Sequence, residues 1–248
     1  MNNTNNIEVT MMSERETIGS EVKKIFEAWV TPRLPNQEPE RVGVPRGEPI
    51  GLSKKKFYAA QAQVLHFKSG LFTLADLAEL SGVSPVQMRV WRTEKEFKKA
   101  AEEATRNFIE YLSEEALKSW HDEKKFHILL HCLAMQKHGI EPLFNKWNKE
   151  AGHIFNQIMT NQKDAINYNL LLDNMSFLAV FLHTILELYS PAEKDKFKNI
   201  LMLKFWPYIE KVFRFILEIV ASNETTDDIK QIGKKILNAI ALYNWASL

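Results

Sequence analysis

Apolar side chains recur at every third or fourth position along most of the chain, which is the spacing of one buried face of an α-helix. Between residues 13 and 30 they are Ile18, Val22, Ile25, Phe26 and Trp29. The same spacing predicts further helices at residues 54–68, 94–120, 122–138, 141–161, 163–189, 191–206, 207–221 and 226–246. No segment alternates apolar and polar residues as a half-buried strand does, so we expect an all-α fold.

Two segments interrupt the helical spacing. Residues 1–12 are rich in Asn and Thr and have little apolar surface to bury, so we expect them to be disordered. Residues 31–53 contain five prolines and three glycines, which exclude a helix and predict an extended linker or arm. Arg33, Arg41 and Arg46 would let such an arm follow DNA, but glutamates in the same segment offset their charge and favour a spacer.

The segment Leu74–Thr93 has the spacing of two short helices joined by a tight turn. Thr73 followed by Asp76 is a capping box in its acidic form, because the hydroxyl accepts from a first-turn N–H and the carboxylate lies at the positive end of the helix. Gly82 can take the left-handed backbone conformation that ends a helix. The first helix is therefore predicted to begin at Leu74 and to end before Gly82.

A second helix is predicted to follow the turn directly. Ser84 supplies its cap, and Pro85 is a favourable first residue because the N–H that proline lacks has no helical partner there. Met88 and Trp91, three positions apart, form the inner stripe of this helix. The other side chains of the helix point away from that stripe and are placed to contact a partner.

This segment resembles the helix-turn-helix of DNA-binding proteins. The packing residues of that class fall at Ala78, Gly82, Val83, Met88 and Trp91. In such proteins the second helix enters the major groove of double-stranded DNA, while flanking groups hold phosphates. The resemblance implies that Arg92 lies near the DNA backbone. The residues that would face the bases are Ser84, Val86, Gln87 and Arg89. The alternative is a helical corner that serves only for packing.

Two families resemble this part of the chain more closely. One is the tetracycline-repressor family, whose members are dimers with a three-helix DNA reader and a helical ligand-binding domain, and it is similar at GVSPVQMRVWRTEKEF. The other is the phage terminase small subunit, which recognises DNA for packaging and is similar around Trp91 and Phe97. The first resemblance implies a homodimeric transcriptional regulator, and the second a phage or mobile-element DNA-recognition protein. A helical protein-interaction module without DNA contact is a third alternative.

Positive charge is concentrated around this motif, although the whole chain has a formal net charge of only +1. Residues 54–99 hold nine Lys and Arg against four Asp and Glu, a net of +5, whereas residues 1–53 have a net of −2. We therefore assign residues 54–99 to DNA binding. The lysines expected to contact phosphates are Lys54, Lys55, Lys56 and Lys95. A solvated lysine run at the first three positions is an equally good interpretation.

Residues 100–248 are more than a DNA reader needs, and we expect a helical domain for ligand binding or dimerisation. The predicted helix at 163–189 contains a seven-residue repeat that forms two seams. One seam is Leu171, Leu178 and Ile185, and the other is Asn174, Phe181 and Leu188. The repeat fits a homodimer interface or an intramolecular core equally well. A pocket for a small apolar ligand would use Phe177, Phe181, Phe205, Trp206 and Tyr208. Such dense aromatic residues are more often core.

The sequence carries no catalytic signature, and we expect neither an enzyme nor a cofactor. It has no Gly-rich phosphate loop and no nucleophile elbow. His127 and His131 have the spacing of two metal ligands, but lysines crowd the same helix and we expect no metal. Cys132 is the only cysteine, which fits a reducing, cytoplasmic location. The most apolar stretch, 175–189, is shorter than the roughly 20 residues of a bilayer span, so no membrane contact is expected.

Overall fold

The computed structural model describes residues 3–30, 52–66, 70–136, 140–160, 166–188 and 206–241, with their side chains except at 3–16, 185–188 and 206–208. Every regular element within these ranges is helical and none is a strand, so the predicted all-α class is confirmed. The helices are α1 (Asn3–Val30), α2 (Lys54–Ala62), α3 (Leu74–Leu80), α4 (Pro85–Trp91), α5 (Lys95–Ser119), α6 (Glu123–Met135), α7 (Glu141–Met159), α8 (Tyr168–Leu188), α9 (Trp206–Ala221) and α10 (Asp227–Ala241). A short 3-10 helix, Gln63–Leu65, extends α2.

The helices lie close to the predicted positions, with one correction at the N-terminal end. Helix α1 begins at Asn3, so the expectation of disorder over residues 1–12 was wrong from that residue onward. The segment includes Glu8, Met11 and Met12, which are good helix formers despite the shortage of apolar residues there. The proposed arm, with Arg33, Arg41 and Arg46, lies outside the described residues, as does the predicted helix at 191–206 apart from its last residue.

The chain divides into two compact units, Met1–Leu143 and Phe144–Leu248. The first unit contains α2, α3 and α4 together with α1, α5 and α6. It is therefore larger than the segment 54–99 that was assigned from the sequence to DNA binding. None of the helices in the described residues is long and apolar enough to cross a membrane.

Helix α5 forms the centre of the first unit. It packs against α2 on one side and against α6 on another, and its buried face includes Phe97 and Phe108. Helix α1 covers this core, because the ring centres of Trp29 and Phe108 are 5.0 Å apart. The buried side-chain amide of Gln136 donates to the Val64 carbonyl at 3.0 Å and so joins the end of α6 to the 3-10 helix. The short helices α3 and α4 are thus attached to a well-packed support.

In the second unit, α8 and α9 both pack against α10. Leu171, Leu178 and Phe181 of the heptad seams are buried within this unit. The structure therefore uses these three seam residues for an intramolecular core, which was one of the two interpretations of the repeat, whereas Asn174 is only partly buried. Homodimerisation stays a prediction, and it would need another surface.

The described part of the aromatic set in the second unit also packs as core. The rings of Phe177 and Phe181 stack with centres 5.7 Å apart, and Trp147 lies 5.8 Å from Phe177. Both phenylalanines are buried. These contacts favour the core interpretation over a ligand pocket. Phe205 lies outside the described residues, and only the backbone of Trp206 and Tyr208 is described.

Candidate nucleic-acid interface

Helix α3 begins where the capping box predicted. The Thr73 hydroxyl accepts from the Asp76 N–H at 3.3 Å, and the Asp76 carboxylate accepts from the Thr73 N–H at 2.6 Å. These two bonds satisfy donors that have no partner within a first helical turn. Leu77 and Ala78 are buried, so the helix is anchored to the unit by its inner face.

The turn after α3 has the geometry of a Schellman motif. Gly82 has a φ of +61°, in the left-handed region that favours glycine. The Val83 N–H donates to the Ala78 carbonyl at 2.9 Å, and the Gly82 N–H donates to the Glu79 carbonyl at 2.9 Å. These bonds satisfy two of the carbonyls at the end of α3 and fix the direction in which the chain enters α4.

Helix α4 is capped and anchored by the residues that the sequence singled out. The Ser84 hydroxyl accepts from the Gln87 N–H at 3.1 Å, and Pro85 is the first helical residue. Met88 is fully buried, and its sulfur accepts from the side-chain amide of Gln63 at 3.3 Å. Trp91 is half-buried and its ring centre lies 6.3 Å from that of Phe97. The inner stripe of α4 therefore packs as predicted.

The outer face of α4 combines apolar and hydrogen-bonding side chains. Val86 is 68% exposed and Val90 is 51% exposed, which places two large apolar side chains one turn apart in solvent. Gln87 and Arg89 are also exposed. Within the described part of the chain, their side chains form no hydrogen bond. The four side chains are therefore available to a partner.

Cations flank α4 at both ends. Lys54 and Lys55 are exposed at the start of α2, and Lys95 is exposed at the start of α5. The Cε atom of Lys55 lies 3.8 Å from the position that a Cβ atom on Gly82 would occupy. Because of this approach, the first turn of α2 lies beside the turn that leads into α4. The structure thus brings Lys55 to the entrance of α4, with Lys54 next to it in sequence, and places Lys95 in the segment after the end of α4.

Lys56 has an internal role instead of the phosphate contact that was predicted for it. Its side chain is only 17% exposed and forms an ion pair with Glu94. Its ammonium group also lies 5.8 Å from the centre of the Trp91 ring. A cation held by a carboxylate and an aromatic face in this way has little of its charge left for DNA. We therefore leave Lys56 out of the candidate interface.

Arg92 caps the end of α4 and is half-buried. With His66 and Lys98 it lines an open cleft of about 310 Å³ between the end of α2 and the first half of α5. Desolvation and the charge of Arg92 lower the pKa of His66. Sequence reasoning missed His66, because it lies near the end of the predicted helix at 54–68 and belongs to no motif.

The described residues form no cluster of metal ligands, and their one cysteine is buried. No three of their His, Cys, Asp or Glu side chains come together as metal ligands. Cys132 is buried, and this burial raises the pKa of its thiol to about 12. A thiol with such a pKa stays protonated near neutral pH and is a poor nucleophile.

Comparison with known proteins assigns no family to the chain. No family model matches it, and no curated protein or solved structure is significantly similar to it. The case for a function therefore rests on the geometry of α3, α4 and the side chains around them.

Proposed function

We propose that the chain binds double-stranded DNA through the outer face of α4 and acts as a sequence-specific transcriptional regulator. The observation that carries this proposal is the outer face itself, where Val86 and Val90 are exposed beside Gln87 and Arg89. Every surface helix has an outer face, but this one offers the mixture of methyl, amide and guanidinium groups that base edges recognise. The second unit would then hold the effector or the dimer contact.

Each outer side chain has a base edge that suits it. Arg89 can donate two hydrogen bonds to the O6 and N7 atoms of guanine, and Gln87 can bond to both edge atoms of adenine. Val86 and Val90 can contact thymine methyl groups. The Ser84 oxygen accepts from the backbone, so its hydroxyl proton remains to donate to a base or a phosphate.

The surrounding cations support a phosphate partner. Lys55 lies beside the turn that leads into α4, the exposed Lys54 precedes it in sequence, Lys95 follows the end of α4, and Arg92 is the C-cap residue of that helix. Residues 54–99 carry a net of +5, in a chain whose total is only +1. Release of counterions from DNA would then supply most of the sequence-independent affinity.

Two arginine variants test the proposal by fluorescence anisotropy on a duplex selected from a random pool. Arg89→Ala removes the guanidinium from α4 and should weaken binding about tenfold or more. Arg214→Ala is the matched control, because it removes the same charge from an exposed helix of the second unit, where Arg214 pairs with Glu210 at 2.7 Å. Equal effects of the two substitutions would contradict a binding role for α4.

Two further variants separate base contacts from phosphate contacts. Gln87→Ala should relax the selected sequence at one position of the site while leaving the salt dependence nearly unchanged. Lys55→Ala should weaken binding to all duplexes alike and lower the salt slope by about one. A selected sequence that is unchanged by Gln87→Ala would argue against base readout by that side chain.

One observation favours a second candidate, a phage or mobile-element protein that recognises DNA for packaging. The rings of Trp91 and Phe97, which carry the resemblance to terminase small subunits, are in contact, with their centres 6.3 Å apart. The two candidates differ in assembly. A dimer in solution supports the regulator, whereas a large ring supports the packaging protein, and light scattering on the full chain distinguishes them.

A further inference from the structure

An open cleft lies beside the candidate interface, between the C-terminal end of α2 and the first half of α5. Its volume is about 310 Å³, which is close to the lower end of the range of small-molecule sites. Its apolar floor is formed by Ala101, which is partly exposed, and by Phe97, which is only 1% exposed. The polar groups around the floor come from His66, Arg92, Lys98, Glu102 and Thr105. Side chains from three separate parts of the first unit thus meet in one recess.

The charges in the cleft favour an anion. Arg92 and Lys98 are cations, and neither forms an ion pair with a carboxylate of the described residues. Glu102 is the one carboxylate among the lining residues. Desolvation and the charge of Arg92 lower the pKa of His66, and its imidazole can donate a hydrogen bond in either protonation state. The cleft therefore carries a net positive charge with additional donors around it.

We propose that this cleft binds a small organic anion, with a carboxylate or phosphate ester held by Arg92 and Lys98 and its apolar part lying over the floor at Ala101. The planar guanidinium of Arg92 matches the geometry of such groups. A backbone phosphate of DNA fits this recess less well, because it has no apolar part to cover the floor. The proposed ligand is therefore a small molecule, which would share only Arg92 with the DNA backbone.

The position of Arg92 gives this ligand a regulatory consequence, which rests on the proposed function. Arg92 caps α4 and belongs to the group of cations that would hold the DNA backbone. An anion bound in the cleft neutralises that charge and competes for the same guanidinium. Binding of the ligand is thus expected to weaken binding of DNA.

Phenyl phosphate is a suitable probe, because it combines the anion with an apolar ring. The readout is the imidazole signal of His66 in ¹³C-histidine-labelled full chain, assigned with His66→Gln. The signal should shift in a saturable manner at probe concentrations below about 10 mM, and inorganic phosphate should bind more weakly. Phenol, which has no charge, should cause no saturable shift. Absence of saturation with phenyl phosphate would overturn the proposal.

Neighbouring lysines provide a matched pair of variants. Lys98→Ala should weaken binding of the probe about fivefold or more, because it removes one of the two cations in the cleft. Lys99→Ala removes the same charge from the next residue, which is exposed and does not line the cleft, and should leave the probe affinity unchanged. Equal losses of probe affinity in the two variants would mean that the probe responds only to the overall charge of the protein. That result would overturn the proposed site.

Competition is measured separately at constant ionic strength. Phenyl phosphate should weaken duplex binding by the wild type, and Lys98→Ala should reduce that effect. Probe binding without any change in duplex affinity would overturn the regulatory consequence while leaving the site in place. Failure of the chain to bind any duplex would instead contradict the proposed function, and the histidine titration would still decide whether the site exists.

Discussion

The backbone N–H of Val83 donates to the carbonyl of Ala78 at 2.9 Å, and this bond closes the turn between α3 and α4. It is reachable because Gly82, with a φ of +61°, reverses the chain between them. The direction of the proposed recognition helix therefore depends on one left-handed residue.

Gly82→Ala should destabilise the first unit by about 1–2 kcal/mol, which is the usual penalty for a side chain in the left-handed region. Crowding adds little, because the nearest atom to the new Cβ would be Lys55 Cε at 3.8 Å. Gly152→Ala is the control, since Gly152 lies inside α7 with no atom within 4 Å of an added Cβ. This substitution should raise the free energy of unfolding by about 0.5–1 kcal/mol. Urea unfolding measures the change in stability of each variant. A change of the same sign in the two variants would contradict this role of Gly82.

Lys56 and Lys55 should behave differently although they are adjacent. Lys56→Met keeps most of the stem but removes the ion pair with Glu94 and the contact with Trp91, so it should lower the free energy of unfolding by about 1 kcal/mol. Lys55→Met should leave stability within about 0.5 kcal/mol, because Lys55 is exposed. Unfolding curves of the two variants check this, and a Lys56 variant as stable as the wild type would show that the pair contributes nothing.

Gly233 permits close contact between α9 and α10. A Cβ atom at Gly233 would lie 2.8 Å from Val220 Cγ2 and 3.4 Å from Ile216 Cγ2. Overpacking of this kind costs about 1–3 kcal/mol, which exceeds the gain of about 1 kcal/mol in helix propensity, so Gly233→Ala should be destabilising. Adding Val220→Ala makes room, and the double variant should lose less stability than the sum of the single variants. If the stability losses of the two single variants add up in the double variant, the loss caused by Gly233→Ala does not come from the contact with Val220.

Acid should destabilise the first unit through His131. Burial, and then the charge of His127, lowers the pKa of His131 below its ordinary value of 6.5. As the pH falls, the unfolded chain therefore binds the proton first. The stabilisation that is present above pH 6.5 is lost as the pH falls through the folded-state pKa. Urea midpoints between about pH 7.5 and 5 should fall less steeply in His131→Gln than in the wild type. His153→Gln, at an exposed site, should keep the wild-type slope.

Local features of the candidate interface could be predicted from the sequence. The caps at Thr73 and Ser84 and the turn at Gly82 depend on atoms within a few residues of one another, so their residue types were sufficient. Burial of Met88 followed from helical spacing. These features concern the form of the segment, and its function remains a proposal.

Features that depend on distant partners could not be predicted. The ion pair of Lys56 joins residues 38 positions apart, and only the packing of α2 on α5 brings them together. The cleft around Arg92 likewise combines His66 with residues of α5. In α8 the heptad repeat did not show which helices cover its apolar residues. In the structure α8 packs against α10, and the ring of Phe181 also lies 6.1 Å from that of Phe144 in α7.

Binding of the full chain to duplex DNA as a function of salt concentration tests the proposed function most directly. If Lys54, Lys55, Arg92 and Lys95 each contact a phosphate, the logarithm of the affinity should fall with the logarithm of the salt concentration with a slope of about −3 to −4 per chain. Combining Arg89→Ala with Arg92→Ala should then relax the sequence preference at the position read by Arg89, weaken binding and reduce the slope. Absence of salt-dependent binding to any duplex, or binding that this double variant leaves unchanged, would contradict DNA recognition by α4 and favour a helical protein-interaction module.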